Sequence, residues 1–389
     1  MNQTRLARLG EILEESVAKN EIAGGNLCVI YQGKEVYYAQ AGYANIARGT
    51  KIERDSLFRM YSMSKPVTSA AVMLLVERGV IDLLDPIGKY IPEFMHMKVA
   101  TPAGDVAANR PITVKDCMNM TSGLTYGYDL EEANQDIMKL YREVDERLYS
   151  EEPMTTLEFA RKLGQCRLVF QPGEQWRYGT SADVLGAVVE VASGMKYSNF
   201  LKKEFFEPLG MKDTDFCVAA EAMDRLTTAY EETEDGLIEY HGNHLGICNH
   251  MDTKIAFESG GAGLVSSIED YKKFAQMLLQ KGSYEGKQYL APKTVEFMTT
   301  ARLLPHQQKN LIWENLPGFT YGNLLRIMTD TSLGVLNGSL GEYGWDGWLG
   351  PYLSNLPKED VTFLLMVQKT GAGTFTLTRK LRNALAAAL

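Results

Sequence analysis

Near the N-terminus, apolar positions recur at helical spacing. Leu6, Leu9, Ile12, Leu13 and Val17 share one face between Leu6 and Lys19, which predicts an amphipathic helix packed on something flat. The pattern then shortens to strand length. Asn26 to Tyr31 and Glu35 to Gln40 are β-rich runs around Gln32-Gly33-Lys34, a turn of hairpin length. From Tyr61 to Gly79 the spacing is helical again, with Pro66 in the first turn and Gly79 at the expected stop. Ile81 to Gly210 reads as helix-rich, with a long charged helix from Leu130 to Tyr149 and an apolar one from Ser181 to Ser193 that closes at Gly194. Another helix is predicted from Ile268 to Gln280, after the run Gly260-Gly261-Ala262-Gly263. The last segment reads as a hairpin plus a helix: one arm from Gly344 to Asn355, a turn over Leu356 to Asp360, a dense strand from Val361 to Gln368 as the other arm, and a closing helix from Thr376 to Leu389.

Strands at both ends with helices between them predict an α/β (α+β) fold, an antiparallel sheet flanked by helices. Residues 1–75 and 255–389 form the expected sheet domain, and 76–254 a mostly helical insertion, with the cleft between them as the default site. The 389 residues hold ample chain for a large core, and 45% apolar with 23% charged residues excludes disorder and fibre. A net charge of −9 without a basic stripe argues against nucleic acid or an anionic membrane as partner. No leader-like or membrane-length apolar stretch is found, so the reading is a soluble cytoplasmic protein. Five scattered cysteines without a CxxC predict buried small hydrophobes rather than a disulfide frame.

The first candidate for chemistry is Ser62-Met63-Ser64-Lys65, where Ser62 and Lys65 lie three apart on one helical face at a helix start. There the unpaired N–H groups and the positive dipole end favour an oxyanion and lower a neighbouring ammonium's pKa. A nearby base turns a serine into a usable nucleophile. Two other S-x-x-K matches lack this setting. Ser16 lies inside the first helix, and Ser193 ends a helix at a glycine. Ser64 has no lysine three residues on and reads as a capping or packing hydroxyl.

Together with Leu57 to Pro66, Leu75-Val76-Glu77-Arg78-Gly79 and Leu84-Asp85-Pro86-Ile87, this segment resembles the serine hydrolases of the class C β-lactamase and penicillin-binding-protein-like fold. That group includes β-lactamases, DD-peptidases, family VIII carboxylesterases and statin-type acyltransferases. Thr121-Ser122-Gly123-Leu124, Gln171-Pro172-Gly173 through Tyr178, Glu207 to Met211, Gly260 to Ser266 and Gly344-Trp345-Asp346-Gly347 follow in family order. The resemblance implies that Tyr178 acts with Lys65 as proton shuttle, with Thr180 where the lactamases have Asn. Tyr43-Ala44-Asn45, Tyr197-Ser198-Asn199 and Tyr321-Gly322-Asn323 match the Tyr-x-Asn letters but not its context. A neighbouring ammonium is expected to favour the Tyr178 phenolate.

The lactamase Lys-Thr-Gly position is matched by Trp345-Asp346-Gly347, similar to the Trp-Gly-Gly of family VIII esterases, whereas Lys369-Thr370-Gly371 falls in a connecting loop. Gly347 would allow close backbone approach, and the N–H groups of Ser62 and Trp348 would form the oxyanion hole. Trp345, Asp346, Gly347, Thr180 and Tyr343 are the expected substrate-binding residues, with Trp348 and Tyr352 contributing to an aromatic pocket. Asp346 would repel an anion if it faced the cleft.

The function expected is hydrolysis of a carboxylic ester or related small-molecule acyl substrate through an acyl-enzyme on Ser62, without cofactor or metal. The alternatives are a β-lactamase or D-amino-acid peptidase, and a penicillin-binding sensor that is acylated without efficient turnover. His241, His244, Cys248 and His250 have metal-competent side chains, but their spacing matches no common zinc site, and they read as loop or cleft-rim residues. No G-x-S-x-G elbow is found, and the Gly260–Gly263 run has no nucleotide-binding spacing.

Overall fold

The computed structural model describes residues 1–127, 132–252 and 255–389. Chain ends build its central layer. Strands β1 (Gly24–Tyr31), β2 (Lys34–Asn45) and β3 (Thr50–Lys51) come from the N-terminal part of the chain. The C-terminal part supplies β4 (Phe319–Gly322), β5 (Leu325–Met328), β6 (Tyr343–Asp346), β7 (Tyr352–Leu356) and β8 (Val361–Val367). They form one eight-stranded sheet in the order β4-β5-β6-β7-β8-β1-β2-β3, antiparallel at every pairing. The last strand therefore pairs directly with the first, from Gly25 opposite Val367 to Tyr31 opposite Val361.

Both faces of β1 and β8 are covered, which is why these strands read as continuous apolar runs. Leu27, Val29, Phe363 and Leu365 point to one face and pack with Leu6, Leu9 and Leu13 of helix α1 (Gln3–Ala18). Their alternates Cys28, Ile30, Leu364 and Met366 point to the other, into the larger core. The hairpin between β1 and β2 turns at Gln32 (φ 51°) and Gly33 (φ 73°), a left-handed pair suited to the strand twist.

Helix α2 (Ser64–Glu77) is buried on all sides through Leu75, so it serves as a fixed post rather than a surface helix. It packs against α4 (Ser181–Ser193), which ends at Gly194 with φ 67°, as expected from the sequence. Between them in the chain, α3 runs over Glu132–Arg147, and Leu130, where this helix was expected to begin, lies outside the described residues. Helix α5 (Ile268–Leu279) covers the sheet on the α2 side, and α6 (Thr376–Ala388) lies beside α1 on the opposite face. Among the described residues no helix is long and apolar enough to cross a membrane.

The edge hairpin β4–β5 has no counterpart in the sequence reading. Its turn places Asn323 (φ 49°) and Leu324 (φ 61°) in the left-handed region, and leucine at such a position gives no turn signal. Full burial of the Leu324 side chain offsets that backbone cost.

Under α6, the Arg382 guanidinium donates to Glu342 at 2.6 Å, both side chains being fully buried, while Ser354 donates to the other carboxylate oxygen at 2.5 Å. Arg382→Leu would strand the Glu342 charge and is expected to cost about 3–5 kcal/mol. Pairing it with Glu342→Leu should recover most of that loss in a denaturant titration. Equal midpoints for the single and double variants would contradict this account.

Candidate active site

Ser62 sits in a single turn of tighter helix, Tyr61–Met63, that runs directly into α2. The preceding Tyr61 has φ 44°, a conformation that costs a bulky residue energy and is tolerated because its ring is fully buried. A short antiparallel pairing of Phe58–Arg59 with Val265–Ser266 lays this segment beside the glycine run. Met60 N–H donates to Leu264 O (2.8 Å), and the Ser64 hydroxyl accepts from Leu264 N–H (3.0 Å). Ser64 thus serves as the packing hydroxyl expected of it.

One turn deeper, Lys65 is fully buried. Its Nζ lies 3.0 Å from Ser62 Oγ, 3.0 Å from the Tyr126 hydroxyl and 2.8 Å from the Gly261 carbonyl. Burial pushes its pKa down from 10.5 to about 7, against the opposing pull of Asp183 and Asp346. Near neutrality, then, a large share of the molecules carry an amine with a lone pair to accept the serine proton. The Gly261 carbonyl is held in place from behind, because Asp183 in the first turn of α4 accepts from Gly261 N–H (3.1 Å) and from the Ser259 hydroxyl. The glycine run is required by close packing: a Cβ on Gly260 would lie 2.3 Å from Ala182 O.

Tyr178 arrives from the loop before α4. Its ring stands over Lys65, with Nζ 4.5 Å from the centroid, its hydroxyl interacts with the Ser62 side chain, and it accepts from Trp345 Nε1–H at 2.9 Å. Burial raises the phenol's pKa well above 10, the nearby Tyr321 adding to the rise, so the resting group is a neutral phenol rather than the phenolate expected from sequence. The physical reason is that the same desolvation discharges Lys65, the cation that was expected to stabilise a phenolate.

The other expected residues separate into those brought to the serine and those placed elsewhere. Gly347 presses on the nucleophile segment, since a Cβ there would lie 2.3 Å from Met60 O. This contact carries the Trp348 backbone to the turn that holds Ser62. The Trp348 ring, however, is enclosed by Tyr61 (5.1 Å between centroids), Tyr240 (5.4 Å) and His244, which stacks on it at 4.0 Å. It therefore locks the loop. His244 owes a pKa lowered to about 4 to burial, and Cys248 of the same loop contacts the Tyr149 hydroxyl at 3.3 Å. Asp346 follows Trp345 on β6 and so points to the other face, where it accepts from the Thr374 hydroxyl. Tyr352 is on that far face too, its ring under the Arg326 guanidinium at 4.3 Å. Tyr343 is buried with its hydroxyl accepting from Asn355 Nδ2–H (3.3 Å), and Thr180 is fully buried at the start of α4. Lys369 forms an ion pair with Glu232 at 2.6 Å.

Two residues at the centre escaped the sequence reading. Tyr126 is buried and bonded to Lys65, and Trp313 lies 4.9 Å from Tyr178 between centroids. With 20 tyrosines in the chain, nothing but its position just after Thr121-Ser122-Gly123-Leu124 could have singled out Tyr126.

The beta-lactamase family profile matches residues 9–388. The chain belongs to that family. Protein Rv1367c of Mycobacterium tuberculosis is 30% identical over 361 residues, covering 89% of this chain and 86% of the relative. Esterase EstB of Burkholderia gladioli is 28% identical over 359 residues, 88% of this chain and 85% of the relative. Among solved structures, EstCE1, described as a hydrolase with promiscuous acyltransferase activity, superposes with a TM-score of 0.83 at 23% identity, covering 100% of this chain and 99% of the other. Simvastatin synthase (LovD) from Aspergillus terreus gives 0.81 at 19% identity over 98% of each chain. These last two likenesses establish the fold.

Depression of the Lys65 pKa has a signed consequence. The folded protein binds this proton less tightly than the unfolded chain does. The destabilisation is therefore complete below pH 7 and fades as pH rises from about 7 toward 10.5. Lys65→Met should be inactive, yet more heat-stable than the parent, with a gain in Tm larger at pH 6 than at pH 9. A gain that grows with pH would refute the assignment.

Proposed function

We propose that this member of the beta-lactamase family is a serine hydrolase of carboxylic esters, working through an acyl-enzyme on Ser62. One observation carries the reading: a single buried amine, pKa about 7, touches the Ser62 hydroxyl and the Tyr126 phenol beneath the ring of Tyr178.

In the first step the Ser62 Oγ–H proton passes to Lys65 Nζ while Oγ bonds to the ester carbonyl carbon. The carbonyl oxygen becomes an oxyanion between the backbone N–H groups of Ser62 and Trp348, where each donor is worth roughly 3 kcal/mol. Collapse breaks the bond to the alcohol oxygen, which leaves with a proton relayed from Lys65 through the Tyr178 phenol. Water then attacks the acyl-enzyme, giving up a proton along the same path, and the carboxylic acid departs as Ser62 Oγ recovers its hydrogen. A neutral phenol suits this work, since it can accept from Ser62 or Trp345 and donate to the leaving oxygen.

Esters are favoured over β-lactams and peptide carboxylates by what faces the serine. Trp345 stands beside the Tyr178 hydroxyl, and Lys369 is committed to Glu232, so no lysine from the Lys-Thr-Gly letters meets a substrate carboxylate. The name of the Burkholderia gladioli relative, an esterase, agrees with this choice. The expected substrate is a small-molecule ester, with no nucleic acid or membrane partner.

A fluorophosphonate probe should label Ser62 alone, as read by peptide mapping. Labelling should vanish in Ser62→Ala and slow at least about tenfold in Tyr178→Phe. Label on another residue would remove the assignment. Turnover of p-nitrophenyl acetate should exceed that of nitrocefin, and it should rise with pH through an apparent pKa of about 7. Nitrocefin turnover matching the ester's would favour a β-lactamase, and a stable Ser62 adduct without release would favour a sensor.

A further inference from the structure

The short helix Pro305–Gln308 and the segment after it are tied to the loop that delivers Tyr178. Gln307 Nε2–H donates to Gly173 O at 2.8 Å, and Asn310 Nδ2–H reaches Gln175 Oε1 at 3.3 Å. Leu311 is buried and anchors the segment, whereas the next residue, Ile312, is 79% exposed. Trp313 then turns back onto the site. Its indole lies edge-on to the rings of Tyr178 (4.9 Å) and Trp176 (5.4 Å) and is 6.3 Å from Trp345, yet it remains 38% exposed. A residue in contact with the catalytic phenol on one side and water on the other stands at the mouth of the site. An exposed tryptophan beside an exposed isoleucine leaves apolar surface there that no part of the described chain covers.

Resting on the esterase reading above, we propose that Trp313, with Ile312 beside it, is the specificity wall of the site, and that the substrates are esters with one large apolar arm that lies against this indole while the reacting carbonyl is at Ser62. A tryptophan offers a broad apolar face at small entropic cost. This one is held by edge contacts to two rings and by a segment pinned to the Tyr178 loop, so little ordering remains to be done on binding. Small esters reach Ser62 without touching the wall, and large polar or charged ones leave water trapped against it. Discrimination should therefore grow with the apolar size of the substrate and should appear mainly in KM, because the contact is present before and during bond formation.

The test compares kcat/KM for p-nitrophenyl octanoate against the acetate, which varies the acyl arm, and for 1-naphthyl acetate against phenyl acetate, which varies the alcohol arm between leaving groups of similar basicity. The native enzyme is expected to prefer the larger substrate in at least one pair. Trp313→Ala should cut that large-to-small ratio by about tenfold or more, chiefly through KM, and Trp313→Phe should retain most of it. Fluorophosphonate labelling of Ser62 in each variant reports whether the site is still assembled. A uniform loss across all four esters would mean that Trp313 merely supports Tyr178, and an unchanged ratio would mean that it touches no substrate. A native enzyme without a preference for size would overturn the proposal as well. Failure of the native enzyme to turn over any of the four esters would instead overturn the esterase reading on which this one rests.

Discussion

Removal of one amine from water is the constraint around which this site is arranged. An isolated buried ammonium is prohibitively costly, so the fold either supplies a carboxylate partner or lets the group lose its proton. Here the carboxylates of Asp183 and Asp346 act on Lys65 from a distance, and the atoms within hydrogen-bonding reach are two hydroxyls and one carbonyl. That environment can satisfy either protonation state. A charged Lys65 donates to all three oxygens, and a neutral one can accept from Ser62 and still donate to the others. The energetic cost of the arrangement is borne by the surrounding core, and the result is an amine with a pKa of about 7 beside the Ser62 hydroxyl.

The fold is organised to hold that amine still. Helix α2 has no solvent face along most of its length, so its first turn cannot fray, and the strained Tyr61 is fixed by burial. Two backbone approaches need glycine: Gly260 against the Ala182 carbonyl and Gly347 against the Met60 carbonyl. The first seats the glycine run on the start of α4 and the second lays the β6 end on the Ser62 segment, where a side chain would have forced the backbones apart. The aromatic rings divide into two sets with different work. Tyr240, His244 and Tyr61 immobilise Trp348, whereas Tyr126, Tyr178, Trp345 and Trp313 surround the serine and its opening.

This division explains how two features that seemed unrelated along the chain belong together. The histidine-bearing loop at 240–250 has the letters of a metal site, but the His244 ring is engaged with Trp348, and Cys248 with Tyr149. Its stack holds the turn whose backbone lies against the nucleophile segment. Arg59, buried two residues before Tyr61, secures the same loop by donating from Nε to the Asn249 carbonyl at 2.7 Å, while its Nη1 donates to the Thr227 carbonyl at 2.6 Å. The loop is thus a brace for the site, reached through rings and carbonyls.

Much of this was written locally. The spacing from Ser62 to Lys65, Pro66 and the apolar run behind them define a helix start with a hydroxyl and an amine on one face, because residues three apart meet on any helix. Alternating and continuous apolar runs likewise marked β1, β2 and β8 to within a few residues, except that β2 runs on to Asn45, whereas the single arm expected over Gly344–Asn355 is two strands, β6 and β7. Contacts between distant segments were not written in this way. Tyr126 and Trp313 bear no local mark, the β4–β5 turn uses an Asn-Leu pair with no turn signature, and the aspect of Asp346 follows from which face β6 turns to the serine. The expected phenolate of Tyr178 failed for the same reason, while the lowering expected for Lys65 came from burial. A sequence shows which ionisable groups exist, whereas desolvation, the term that sets the charge on Lys65 and Tyr178, exists only once the surrounding chain has closed over them.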